Sequence, residues 1–207
     1  MPRRARSGRA RRAGLHALLS AAVLVGIAAA AFAAATVEER SAALPRELAP
    51  AVAKQLSGAA LVVRDGAGPW VTLFTPADPD VQPGALGGVL RVESGWRDFR
   101  DRSVPAGVYT LRRALQPNLK EHAGTSPSRD FLLLVPARVD DGGARAPEAW
   151  IGASRGIAGP HPAVLCLLPA PSGTRARLEE ADGRLLLVPA SSRFAMVLKG
   201  HGVMDGF

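Results

Sequence analysis

Cysteine and aromatic residues are scarce in this chain of 207 residues. Cys166 is the only cysteine, and a single thiol closes no intramolecular disulfide, so the fold has to depend on packing alone. Because Cys166 lies in an apolar run, it is predicted to be a buried core residue. Aromatic residues make up 5% of the sequence, which argues against a protein that stacks rings on sugars or single-stranded nucleic acids.

The first 35 residues have the anatomy of a secretory signal peptide. Six arginines precede a stretch from Leu15 to Val37 that contains no Asp, Glu, Lys or Arg. Small residues follow, and both Ala31-Phe32-Ala33 and Ala33-Ala34-Ala35 satisfy an A-x-A cleavage rule. We therefore expect export to the periplasm or the cell exterior. The uncharged stretch is also long enough to stay in a bilayer as an uncleaved anchor, and that alternative remains open.

Basic charge is concentrated in this leader. The chain carries 26 Lys and Arg against 18 Asp and Glu, a formal net charge of +8. Without the six arginines of the leader, 20 basic residues face 18 acidic ones, a net charge of +2. A nucleic-acid partner is not expected, because such proteins need a clustered basic face. Membrane contact is expected only through the N-terminal segment.

Short apolar runs separated by Gly, Pro, Asp and Ser dominate the remainder. This pattern, without long helices between the runs, predicts a mainly β fold and specifically an antiparallel β-sandwich. Phe131–Val135 is continuously apolar, which is typical of a strand covered on both faces. Val89–Glu93 alternates, which is typical of a strand with one wet face. The Asp182-Gly183 pair predicts a hairpin turn, because glycine supplies a positive φ.

Three parts of the chain are predicted. Residues 1–35 form the leader, residues 36–57 a short helical lead-in, and residues 58–207 a single β domain. The helical spacing of the lead-in is interrupted at Pro45 and Pro50, since proline removes a backbone donor.

Three segments resemble uncharacterised exported β-sandwich proteins of bacteria. They are Val104–Leu111 (VPAGVYTL), His122–Leu132 (HAGTSPSRDFL) and Pro160–Leu165 (PHPAVL). In the first segment a Pro-x-Gly turn leads into an alternating strand. The resemblance implies a secreted β domain and implies no activity.

Two long stretches with few apolar residues, Gln116–Asp130 and Asp140–Pro162, are predicted to be loops. Long loops in a compact domain are where binding often occurs. The candidate binding residues are His122, Ser126, Arg129, Asp130 and His161. We expect a non-catalytic domain that binds an unidentified protein or small ligand through these loops, and no cofactor is predicted.

A different class of function remains open. His122 and His161, with Asp130, could meet as a metal or catalytic centre of a small periplasmic metalloprotein or enzyme, although their spacing matches no local metal motif. Gly152-Ala153-Ser154-Arg155-Gly156 matches the G-x-S-x-G pattern of serine hydrolases. We reject that match, because a nucleophile elbow needs a helix directly after the serine, and glycines and prolines follow here.

Overall fold

The structure is a computed structural model that describes residues 35–65, 68–78, 82–116, 126 and 128–199. The predicted signal peptide (except Ala35) and His122 lie outside these ranges. The strands within them are β1 Thr36–Ser41, β2 Leu56–Asp65, β3 Gly68–Pro76, β4 Leu86–Val92, β5 Trp96–Arg97, β6 Ser103–Val104, β7 Gly107–Leu115, β8 Asp130–Pro136, β9 Val164–Pro169, β10 Arg177–Ala181, β11 Arg184–Val188 and β12 Phe194–Lys199. Two α-helices, α1 Pro50–Ala53 and α2 Pro147–Ser154, and a 3₁₀ helix at Ala137–Val139 complete the described elements.

Ten of the described strands form one antiparallel sheet in the order β1-β2-β3-β4-β7-β8-β9-β12-β11-β10. The edge strands β1 and β10 approach each other, so the sheet is nearly closed into a barrel. The mainly β prediction is confirmed. The narrower expectation of a sandwich is not confirmed, because β9 is hydrogen-bonded to β8 on one side and to β12 on the other. This double pairing joins strands that a sandwich would divide between two sheets.

The two faces of the sheet bury different side chains. On β8, Leu132 and Leu134 belong to the core inside the curved sheet. Phe131, Leu133 and Val135 belong to a second core on the outside, where α2 packs against β8. Successive strand residues point to opposite faces, so burial on both sides explains why this strand is continuously apolar. The sequence prediction for it is confirmed.

One end of the curved sheet is filled by Trp96. Its side chain is fully buried, and its indole Nε1–H donates a hydrogen bond of 2.7 Å to the carbonyl of Leu198 at the end of β12. Trp96 pairs with Val104 in the small β5–β6 ribbon. A large aromatic side chain with its polar atom satisfied contributes strongly to a core, so this ribbon stabilises the end of the sheet that it covers.

The predicted Pro-x-Gly turn is present at the start of β7. The strand begins at Gly107, and the hydroxyl of Tyr109 donates a hydrogen bond of 2.9 Å back to the carbonyl of Pro105. The alternating strand that the sequence predicts after this turn is therefore present, and it extends to Leu115.

The helical lead-in predicted for residues 36–57 needs correction. Thr36–Ser41 is a strand whose six residues all pair with β2, and the helix is limited to Pro50–Ala53. Backbone pairing with a distant strand outweighs local helical spacing here. The predicted loop Asp140–Pro162 likewise contains α2, which begins at Pro147. Proline is favoured in the first turn of a helix, where its missing N–H is not needed. None of the helices in the described ranges is long and apolar enough to cross a membrane.

The predicted hairpin at Asp182-Gly183 is confirmed. The two residues connect β10 and β11, and Ala181 pairs with Arg184 across the turn. Both turn residues have positive φ, 51° for Asp182 and 70° for Gly183. Positive φ at both central positions is the geometry of a type I′ turn, which matches the twist of the flanking strands.

Replacing Gly183 by valine should lower the free energy of unfolding by about 1 kcal/mol or more, because a β-branched residue resists positive φ. Gly95→Val is the matched control, since the φ of Gly95 lies outside that region and an added Cβ meets nothing within 4 Å. Urea denaturation of both variants measures the difference. Equal denaturation midpoints for the two variants would contradict a strained turn at Gly183.

Candidate functional site

A cavity of about 480 Å³ lies inside the curved sheet at the end opposite Trp96. Residues from the starts of β2, β4, β8 and β12 and from the ends of β3, β7 and β9 line it, as expected for one end of an antiparallel sheet, together with Glu39 of β1. Small-molecule sites are typically about 300–1,000 Å³ with mostly apolar walls. The larger apolar side chains that line this cavity are Leu61, Leu73, Leu132, Leu167, Phe194 and Met196.

Gly87 forms a tight part of the cavity wall. A Cβ atom at this position would lie 2.5 Å from Cδ2 of Leu132, which is far inside van der Waals contact. The absence of a side chain at Gly87 therefore leaves the space that the side chain of Leu132 occupies.

The loop between β11 and β12 forms part of the cavity rim. The backbone N–H of Ser191 donates a hydrogen bond of 2.7 Å to the carbonyl of Gly173, in the connection between β9 and β10. Ser192 Oγ donates a hydrogen bond of 2.8 Å to the carbonyl of Phe194. Ser191 has a φ of 59°. These contacts hold the rim loop in one conformation.

Arg113 places a positive charge at the cavity. It follows Tyr109 and Leu111 on the inward face of β7, and its side chain is only 9% exposed. Its Nη2 donates to Oδ1 of Asp130 in an ion pair, and its Cζ lies 4.6 Å from the ring centroid of Phe194. The buried Nε of Arg113 has no hydrogen-bond partner among the described residues. An unsatisfied buried donor costs about 1–3 kcal/mol.

The neighbouring Arg112 is held very differently on the outer face. Its Nε and Nη2 donate hydrogen bonds of 2.8 and 2.7 Å to the two carboxylate oxygens of Asp140. Its Nη1 donates to the carbonyl of Gly84 at 3.2 Å, and its Cζ lies 4.6 Å from a ring centroid of Trp150 in α2. Because Nε, Nη1 and Nη2 of Arg112 all donate hydrogen bonds to protein acceptors, we assign the Arg112–Asp140 pair a structural role.

The candidate binding residues from the sequence separate into two groups. Asp130 supports Arg113 at the cavity end of the sheet. Arg129 is exposed, and its guanidinium donates hydrogen bonds of 3.2 and 2.9 Å to the carbonyl of Gln116. Ser126 Oγ lies 3.6 Å from Sγ of Cys166. These three residues therefore belong to the region where β7 ends and β8 begins.

His161 lies at the other end of β8. The register pairs Phe131 with Cys166, and the N–H of Leu134 bonds the carbonyl of Ala163, so His161 precedes β9 near the end of β8 while Asp130 lies at its start. The structure therefore does not bring His161 and Asp130 together, and His161 is exposed. His122 lies outside the described residues, so its pairing with His161 stays a prediction. Within the described ranges, no three His, Cys, Asp or Glu residues cluster as a metal site would require.

Ser154 and Cys166 are both enclosed core residues. Ser154 ends α2, is fully buried, and its Oγ donates a hydrogen bond of 2.9 Å to the carbonyl of Ala163. Ser154 is therefore not held on an exposed strand-to-helix turn, in agreement with our rejection of the G-x-S-x-G match. Cys166 is buried as predicted, and burial raises the pKa of its thiol above the ordinary value despite its contact with Ser126.

No family model matches the sequence, and no curated protein or solved structure matches it either. The resemblance to exported bacterial β-sandwich proteins accordingly stays a prediction. The assignment of the site depends on the geometry of the chain itself.

Arg113 was missed at the sequence level although a signal was present. The strict alternation of Tyr109, Leu111 and Arg113 places all three on one face of β7. Two of them are core types, so the third had to be buried beside them. Arginine is an unexpected residue at such a position, because charged side chains are seldom fully buried.

The Arg112–Asp140 pair leads to a pH prediction. Burial by itself would raise the pKa of Asp140, but hydrogen bonds from Arg112, Thr110 and the N–H of Gly142 hold that pKa below its ordinary value. The stability from this pair is thus complete above the ordinary carboxyl range and is lost as the pH falls through the lowered pKa. Asp140→Asn should be about 3 kcal/mol less stable at pH 7, and this deficit should shrink below about pH 4.

Asp98→Asn is the control with the opposite sign. Burial raises the pKa of Asp98, although the N–H groups of Arg102 and Arg100 partly offset the effect. Its contribution is complete when the carboxyl is protonated and falls as the pH rises through the raised pKa, so Asp98→Asn should lose less stability at pH 7 than Asp140→Asn. Urea denaturation between pH 2 and 7 tests both variants. A deficit of Asp140→Asn that is independent of pH would contradict the assigned pair.

Proposed function

We propose that this domain is a non-catalytic binding protein that holds a small, largely apolar molecule in the cavity inside its sheet. The observation that carries the proposal is the cavity of about 480 Å³ at one end of the sheet. The larger apolar side chains of its lining are leucines, a phenylalanine and a methionine. Burial of apolar ligand surface against them stabilises the complex by about 25 cal/mol per Å².

The polar rim supports a binding role. Ser57 Oγ and Thr75 Oγ1 lie 2.9 Å apart at the cavity, and Ser191 and Ser192 line it from the rim loop. A few polar groups around an apolar interior are typical of ligand sites, because they fix the orientation of the bound ligand and provide specificity.

The connection between β7 and β8 starts and ends on this side of the sheet. The N–H of Gln116 donates a hydrogen bond of 2.8 Å to the carbonyl of Arg129, which joins the two described flanks of residues 117–125. We propose that Ser126, Arg129 and Asp130, which flank this connection, contribute to binding at this end of the sheet, although none of them is part of the described cavity lining. We further propose that the domain works outside the cytoplasm, on the evidence of its leader sequence.

The proposal of a metalloprotein or enzyme that uses His122 and His161 gains no support from the described geometry. His161 is exposed and lies beyond the end of β8 that is remote from the cavity. A cavity ligand and His161 therefore occupy different ends of the sheet.

A neutral apolar dye, N-phenyl-1-naphthylamine, should become fluorescent on binding to the 207-residue chain. Ala59 lines the cavity, so Ala59→Phe should fill part of it and weaken dye binding by about tenfold or more, since filling the site removes its apolar contact area. Ala181→Phe is the matched control, because Ala181 is an exposed residue of β10 and lies outside the cavity lining. Equal dye affinity in the two folded variants would contradict the cavity as the site.

A further inference from the structure

We infer that the ligand of this cavity is an amphiphile with a single carboxylate head, which is bound by Arg113. This inference rests on the proposed function and adds the chemical class of the ligand. It depends on the contrast between Arg112 and Arg113, which are consecutive residues of β7 and lie on opposite faces of the sheet.

Arg112 shows what a satisfied buried arginine requires in this protein. Both oxygens of Asp140, the carbonyl of Gly84 and the ring of Trp150 occupy its guanidinium. Arg113 on the inner face is comparably buried but bonds a single oxygen of Asp130. Asp130 Oδ1 reaches Nη2 only, so the bidentate geometry seen at Arg112 is not completed.

Arg113 lines the cavity, and its guanidinium has N–H donors besides the one that bonds Asp130. Its buried Nε has no partner within the described ranges, and its ring contact with Phe194 covers a face of the guanidinium and not its N–H edge. A guanidinium is a planar fork that suits a carboxylate, and it stays charged at all relevant pH values. A carboxylate beside Arg113 would supply a second acceptor to a guanidinium that bonds one oxygen of Asp130.

The remainder of the cavity defines the other end of the ligand. Leu61, Leu73, Leu167 and Met196 present hydrocarbon to the space beside Arg113. A fully charged or highly polar ligand would leave these walls without apolar contact. Glu39 and Arg193 also line the cavity, so charged groups of both signs lie beside this apolar wall. A ligand with one acceptor group next to Arg113 and an apolar body against these side chains is the chemistry that we infer.

The test compares two probes that differ only in the head group, dodecanoate and 1-dodecanol, in displacement of the dye from the 207-residue chain. We expect dodecanoate to bind at least about tenfold more tightly, because a charge-assisted hydrogen bond to a desolvated arginine is stronger than one from an alcohol. Equal affinity of the two probes overturns the inferred head group and leaves the apolar cavity site intact. Failure of the dye and of both probes to bind overturns the proposed function as well.

Variants locate the preference at Arg113. The double variant Arg113→Gln/Asp130→Asn leaves no unpaired charge, and it should bind 1-dodecanol as the parent does while losing the preference for dodecanoate. Arg97→Gln is the charge control, since Arg97 is 60% exposed and pairs with Asp101 in the β5–β6 ribbon at the other end of the sheet. A preference for dodecanoate that persists in the double variant overturns the inference. If the double variant does not fold, as judged by circular dichroism, Arg113→Lys takes its place, because lysine keeps the charge but not the planar fork.

Discussion

A nearly closed sheet has an interior that side chains must fill at close-packed density, and this constraint accounts for most of the structure. At one end the indole of Trp96 fills the interior and bonds the carbonyl of Leu198. At the other end the inward positions carry smaller or polar residues, including Ala59, Gly87 and Arg113. The cavity follows from this difference in side-chain volume between the two ends of the same strands.

The outer face of the sheet is also covered by packed side chains, and there a helix supplies the cover. Phe131, Leu133 and Val135 would be exposed on a sheet with one wet face, but α2 covers them. The cover is joined to the sheet by Arg112, which contacts Trp150 of α2 and bonds Asp140 just after the 3₁₀ helix. A buried ion pair of this kind is costly to break but contributes little beyond what apolar packing would. Through these contacts Arg112 links β7 to α2 and to the segment after the 3₁₀ helix.

The sequence permitted accurate prediction wherever local chemistry decides the structure. The Asp182-Gly183 turn, the start of β7 at Gly107 and the double burial of β8 all depend on residues that are close in the chain. The pairing of β1 with β2 and the continuity of the sheet through β9 depend on long-range hydrogen bonds, which no local pattern encodes. The cavity could not be predicted for the same reason, since its lining is drawn from eight strands. Arg113 was accessible to prediction through the alternation along β7.

Chain reversal determines which loops can serve the cavity. In an antiparallel sheet each connection lies at the end opposite to the previous one, so the β7–β8 and β11–β12 connections lie at the cavity end while the β8–β9 connection does not. His161 belongs to that last connection, and Asp130 begins β8 directly after the first. Asp130 and His161 both adjoin segments rich in glycine, proline and serine, and for this reason the sequence suggested that they belong to one site. Because the length of β8 separates the two residues, Asp130 contacts Arg113 at the cavity end, whereas His161 belongs to a different surface of the domain.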